Sequence, residues 1–211
     1  MVQPLTTVPA SAVRGVSSGV IFMAFFSTLW ADIGVGGLQG WGGIWPVVAI
    51  VLIGVGLFVG AISLLVASRG LPDQAAGMGG DQNRKRTNMW FIIVFATEII
   101  LIFLASYICN ALLHRLDLFF PVMALIVGAH FFPLAPLFRI KMYHVVGAVL
   151  CLLGLLTLFV IPLHMQIDGL QINAQQFVLG FGAALVLWCV GIGLWLLGRR
   201  WLALSSTSVS L

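Results

Sequence analysis

WFIIVFATEIILIFLASYICN, Trp90–Asn110, carries a single carboxylate, Glu98, in an otherwise apolar run. A helix needs roughly 20 mostly apolar residues to cross the hydrocarbon of a bilayer. This stretch has that length, and its surroundings are of the same kind. The chain of 211 residues is 61% hydrophobic and 8% charged, with a mean hydropathy of +1.14. A soluble domain carries about 25% charged residues. A water-soluble fold of this length has no room to hide so much apolar surface, so its solvent is lipid.

Working outward from Trp90–Asn110, the same criterion marks six spans and one all-α transmembrane domain over residues 1–211. The spans are predicted at about 15–36, 46–68, 89–113, 118–138, 142–163 and 175–198. The first has one basic residue before it, Arg14, as a signal peptide would. Its apolar run exceeds an h-region and no small-x-small cleavage site follows, so it reads as a retained helix.

The Lys and Arg residues set a direction. Arg14 precedes the first span. Arg69, Arg84, Lys85 and Arg86 follow the second, Arg139 and Lys141 the fourth, and Arg199 and Arg200 the sixth. Only Arg115 falls on the opposite side. The positive-inside rule therefore predicts both termini in the cytoplasm. The net charge of +4 serves that orientation and does not point to nucleic acid. The stretch GLPDQAAGMGGDQNRKRTN, Gly70–Asn88, reads as a flexible loop that places Arg84, Lys85 and Arg86 at anionic headgroups. The segment 164–174 reads as an outer loop without basic residues, and the tail SSTSVSL as disordered. Trp41, Trp45, Trp90 and Trp201 fall where interfacial anchors belong.

Few groups remain for chemistry. Glu98 lies about ten residues into the third span, near mid-depth at roughly 1.5 Å per residue. His130, in VGAHFFPLAPLF (Val127–Phe138), reaches a similar depth in the fourth span. The connection between these spans is short, so they are antiparallel neighbours. Ionisable groups at such depth are rare and commonly functional. A carboxylate beside an imidazolium, or a neutral acid beside a neutral imidazole, are both reachable states, as a proton relay requires. The competing reading is a polar clamp between two helices. Pro133 and Pro136 remove the hydrogen bonds to the carbonyls of Ala129 and Phe132 and are expected to kink the helix. Freed carbonyls at this depth belong against protein or a water-filled cavity. Asp32, near the outer end of the first span, either simply reaches the outer interface or, with Asn110, Ser106 and Tyr107, sketches an outward polar funnel toward Glu98.

Other chemistry finds no motif. The sequence has no P-loop, GxSxG, HExxH or dinucleotide fingerprint, so no catalytic residue is assigned. A lipid-acting enzyme would need groups at headgroup level, where only His114, Asp117 and His164 are scattered. No cofactor is expected. Cys109, Cys151 and Cys189 read as small buried apolar residues, without metal-binding spacing. Small faces at Gly15/Gly19, Gly56/Gly60 and Gly191/Gly193 suit close helix packing or a homo-oligomer. VLIGVGLF in the second span and VLCLLGLLTLF in the fifth are too alike other apolar helices to establish an inverted repeat.

VGAHFFPLAPLF followed by YHVVGAVLCLLG resembles a segment of small bacterial integral membrane proteins that have no assigned activity. The matching residues are Val127, Gly128, His130, Phe131, Pro133, Leu134 and Ala135, and the likeness covers roughly a fifth of the chain. It implies a multi-pass membrane protein, with a bacterial inner membrane as the setting, and no particular activity. The function expected from these observations is a small transporter or channel, proton-linked through Glu98 and His130. Its partners are the lipid bilayer and an unspecified small ion or solute. The alternative is a non-transporting assembly or stress-related membrane component.

Overall fold

The computed structural model describes residues 9–71, 78–138 and 140–207. The architecture is all-α, and among the described residues six helices are long and apolar enough to cross a membrane. They are α1 (Ala10–Leu38), α2 (Trp45–Ala67), α3 (Met78–Tyr107), α4 (Phe119–Phe138), α5 (Met142–Phe159) and α6 (Ala174–Thr207). Between α5 and α6 lies a hairpin of β1 (His164–Ile167) and β2 (Leu170–Asn173). A multi-pass membrane protein is the direct consequence, because lipid leaves unsatisfied backbone groups no water and favours closed helical ladders.

Three boundaries differ from the sequence reading. The 164–174 connection is a two-stranded antiparallel hairpin, not an irregular loop. Its turn is Asp168-Gly169, both with positive φ, at 51° and 79°. That is the conformation a tight two-residue hairpin needs, and Asp-Gly supplies it at low strain. The Trp41 indole donates to the Asp168 carboxylate at 3.3 Å, tying the turn to the α1–α2 connection. Second, α3 begins at Met78, so most of the predicted flexible loop is helical. Downstream of Pro72 no proline interrupts, and Gln, Arg and Lys are good helix formers. Third, α6 runs through Arg199 and Arg200 to Thr207, taking in the first residues of the predicted tail. Residues 72–77 and 208–211, the Arg84 side chain and Arg139 lie outside the described residues.

The helices contribute to two compact units, one containing residues 1–29, 47–75 and 187–211, the other 30–46 and 76–186. In the first unit the core is built by Val13, Val20, Ala61, Leu64 and Leu194, all nearly or fully buried. Ser17 Oγ donates to the Ala61 carbonyl at 2.7 Å, a satisfied polar contact between α1 and α2. Gly191 lies against Met23 and Leu57, Gly19 against Leu194, and Gly60 against the Trp195 ring. Gly15, Gly56 and Gly193 have nothing within 4 Å of where a Cβ would stand. The predicted small faces are thus split between internal packing and open surface.

In the second unit α4 packs on α5 at backbone distance. A Cβ on Gly128 would stand 2.7 Å from Cys151 Sγ and 2.8 Å from the Cys151 backbone N, and one on Gly147 would stand 2.7 Å from the Gly128 carbonyl. The start of α6 holds the end of α5 in place: Gln175 Nε2 donates to the Thr157 carbonyl at 3.2 Å and to that of Ile161 at 3.0 Å. The α3 helix is the most open of the six, with 11% of its span buried against 44% for α4. Its exposed Ile100, Phe103 and Leu104 suit acyl chains as solvent. Of the cysteines, Cys109 is buried, Cys151 half-buried and Cys189 exposed. The expectation of burial therefore fails at Cys189, which α6 directs outward among other exposed apolar residues.

Candidate functional site

The site is built by α3 and α4. After Tyr107, α3 widens into a π-helical turn over Ile108–Leu112, closed by the Leu113 N–H on the Ile108 carbonyl at 2.9 Å. His114 adopts positive φ, at 53°, and reverses the chain. A single 3-10 turn, Leu116–Leu118, then leads into α4. Arg115 pairs with Asp117 at 2.8 Å on the exposed connection. The hydrogen bond and charge of Asp117 raise the Arg115 pKa above its ordinary value. Antiparallel geometry follows, and residues equally far from this turn sit at equal depth.

Glu98 and His130 are such residues, and the structure brings them together. His130 Nδ1 lies 3.5 Å from Glu98 Oε1, with side-chain exposures of 6% and 5%. That separation exceeds the 2.7–2.9 Å of a charge-assisted hydrogen bond. The geometry is not that of a formed hydrogen bond, and neither ring nitrogen has a hydrogen-bond partner. A buried imidazole with two unpartnered nitrogens, facing a buried carboxyl, is an arrangement with polar capacity to spare. Thr97, next to Glu98, spends its hydroxyl within its own helix, donating to the Ile93 carbonyl at 2.9 Å.

A cavity of about 440 Å³ opens beside the pair, lined by Glu98, His130, Val94, Ile126, Ala129 and Pro133 among others. A second, of about 520 Å³, continues toward the start of α3 and is lined by Arg86, Thr87, Trp90, Val94, Pro133 and Pro136. Val94 and Pro133 belong to both. The two cavities therefore adjoin and form one groove along α3 and α4. Helix α4 stays helical across both prolines. Pro133 leaves the Ala129 carbonyl without its helical donor, and Ala129 lines the groove beside His130.

Of the residues singled out by sequence, Glu98, His130, Pro133 and Pro136 thus share the groove. Asp32 and Asn110 are both exposed and line neither cavity. The polar funnel from the outer side is not assembled by these two cavities. The sequence reading also passed over Arg86, Thr87, Trp90 and Val94 as groove residues. Their signal was spacing: Arg86, Trp90, Val94 and Glu98 recur at every fourth position, one face of a helix. The buried indole nitrogens of Trp188 and Trp195, in the other unit, also lack partners. Nothing in their sequence context signals it.

Among the described residues, no group of three or more His, Cys, Asp or Glu could hold a metal ion. Compared with known proteins, the chain matches no family model, no curated protein and no solved structure.

Proposed function

We propose that this multi-pass membrane protein is a small proton-linked transporter or channel, with Glu98 and His130 as its titrating pair. One observation carries the reading: two ionisable side chains, each almost fully buried in a membrane-spanning pair of helices, face each other at 3.5 Å beside a cavity. Keeping such groups in hydrocarbon costs about 2.5–3.5 kcal/mol for an ionised carboxylate at mid-depth. A stretch of leucine and isoleucine would pack two helices without that cost. The separation leaves space for the pair to tighten when a proton moves between them.

The test is difference infrared spectroscopy of the protein in lipid across pH, with Glu98→Gln as control. A carboxyl band that titrates in the physiological range, and shifts in His130→Ala, is the expected result. A band silent at every pH overturns the proton-linked reading.

That outcome would favour a second reading, a non-transporting membrane component in which the pair is a clamp. The specific observation behind it is the apolar wall of the cavity, where Val94, Leu101, Val122, Leu125 and Ile126 surround the pair.

We also place both termini in the cytoplasm, on the distribution of Lys and Arg. Green fluorescent protein fused after Leu211 is expected to fluoresce, and alkaline phosphatase fused there to be inactive. Active phosphatase would reverse the orientation.

A further inference from the structure

The groove along α3 and α4 has a polarity that the proton-linked reading does not use. One end carries Arg86 and Thr87, the middle Trp90, Val94 and Pro133, and the far end Glu98 and His130. Among the described residues no carboxylate pairs with Arg86. Lys85 is its neighbour in sequence, and Lys141 follows α4 on the turn into α5. Arg86 is the cation that lines the mouth, and Lys85 and Lys141 lie outside that lining. Between that mouth and the Glu98–His130 end the groove is apolar and open to the side, with Trp90 47% and Ile93 46% exposed. Its length follows from the helix rise: Arg86 to Glu98 is about 18 Å along α3 at 1.5 Å per residue. One leaflet of a hydrocarbon core about 30 Å thick is about 15 Å deep. The groove is thus about as long as one acyl chain, with a cation where that chain's headgroup would be.

We propose that this groove binds one anionic phospholipid of the adjoining leaflet. Its phosphate sits at Arg86 and Thr87, and one acyl chain runs past Trp90 and Pro133 to end beside Glu98 and His130. Arg86 supplies a donor fork suited to phosphate oxygens, and Thr87 can add a hydroxyl donor. Trp90 offers an apolar face to the chain and an indole N–H to the glycerol region. Val94 and Pro133, which line both cavities, are apolar, so an acyl chain passes them without desolvating a polar side chain. A free anion would be held by the mouth alone, whereas a lipid uses the whole length. The proposal goes beyond the proton-linked reading and does not rest on titration of the pair.

The test uses the full chain in phosphatidylcholine vesicles containing increasing fractions of phosphatidylglycerol with brominated acyl chains. Bromine quenches nearby tryptophan, and Trp90→Phe subtracts the contribution of the other six indoles. The Trp90 signal is expected to be quenched saturably by brominated phosphatidylglycerol, and only in proportion to lipid fraction by brominated phosphatidylcholine. Arg86→Gln is expected to raise the half-saturating fraction about fivefold, the weight of one basic residue at an anionic headgroup. Lys85→Gln, outside the cavity lining, is expected to change it less than about twofold on the same scale. Val94→Phe fills the stretch that the two cavities share and is expected to abolish saturation with Arg86 intact. Equal quenching by the two lipids overturns the proposal. So does an equal effect of Lys85→Gln and Arg86→Gln, which would show diffuse surface attraction. Full competition by millimolar inorganic phosphate also overturns it, leaving a free-anion site at the mouth.

Discussion

Gly180→Val is expected to destabilise the protein by about 3 kcal/mol or more, the upper end for overpacking. The reason is that its neighbours are backbone. A Cβ on Gly180 would stand 2.6 Å from Gly34 Cα and 2.7 Å from the Trp30 carbonyl, with the Gly34 amide nitrogen closer still. A side chain can rotate away from a clash, but the backbone of α1 can give way only by moving the helix. The same contact is reinforced on both sides. Gly34 lies under the Phe181 ring, and a Cβ on Gly37 would meet the Phe177 amide nitrogen and stand 2.9 Å from the Asn173 carbonyl. In lipid, where apolar burial gives helices little drive to associate, such close packing supplies much of the attraction. Reversible unfolding in bicelles, followed by circular dichroism, measures the loss. Gly36→Ala is the control, because nothing lies within 4 Å of its Cβ position. It is expected to leave stability unchanged or raise it by up to about 1 kcal/mol, the helix-propensity gain over glycine. If Gly180→Val unfolds like the parent, α1 and α6 do not approach at these glycines in the membrane.

A double-mutant cycle on Glu98 and His130 has the second largest expected effect. Either truncation, Glu98→Ala or His130→Ala, leaves its partner as an isolated buried polar group, at a cost of about 1–3 kcal/mol. The double variant removes both groups and is expected to be less destabilised than the sum of the singles. The coupling should be about 1–2 kcal/mol, as for polar pairs between membrane helices. A formed buried ion pair would give about 3–5 kcal/mol on losing one partner. The 3.5 Å separation, without a formed hydrogen bond, argues for the smaller figure. Glu98→Gln keeps size and hydrogen-bonding capacity, so its stability loss should stay under about 1 kcal/mol. That variant would then separate the two readings. A clamp tolerates the amide, whereas a proton-linked pair loses its titration with the fold intact. Coupling above about 3 kcal/mol would show that the pair is held as ions.

Much of this architecture is legible without coordinates. Spans of roughly 20 apolar residues have one solution in lipid, since each backbone N–H and C=O must be satisfied within its own segment. The depth of Glu98 and His130 follows from the helix rise and a short connection, and both residues meet as counted. The ends of the elements were less legible. Apolarity marks where hydrocarbon lies, whereas helicity continues for as long as propensity permits. Hence α3 extends back to Met78 and α6 on to Thr207 through polar residues. The hairpin at 164–173 was written in Asp168-Gly169, a turn signal that a polarity reading passes over.

The sequence by itself determined the apolar, multi-pass character of this protein, the number of its long apolar helices and the matching heights of Glu98 and His130 along α3 and α4. These depend on composition and on fixed distances along the chain. Only the tertiary structure decided which faces meet. Gly128 and Gly147 press α4 onto α5 at backbone distance, while His130, two residues from Gly128 and so on nearly the opposite side of the helix, faces α3. It also decided that Asp32 and Asn110 stand outside the groove, and that Arg86 and Trp90 line it. Helix rotation and close approach come from side-chain shapes on two helices at once, and no single stretch of sequence contains both.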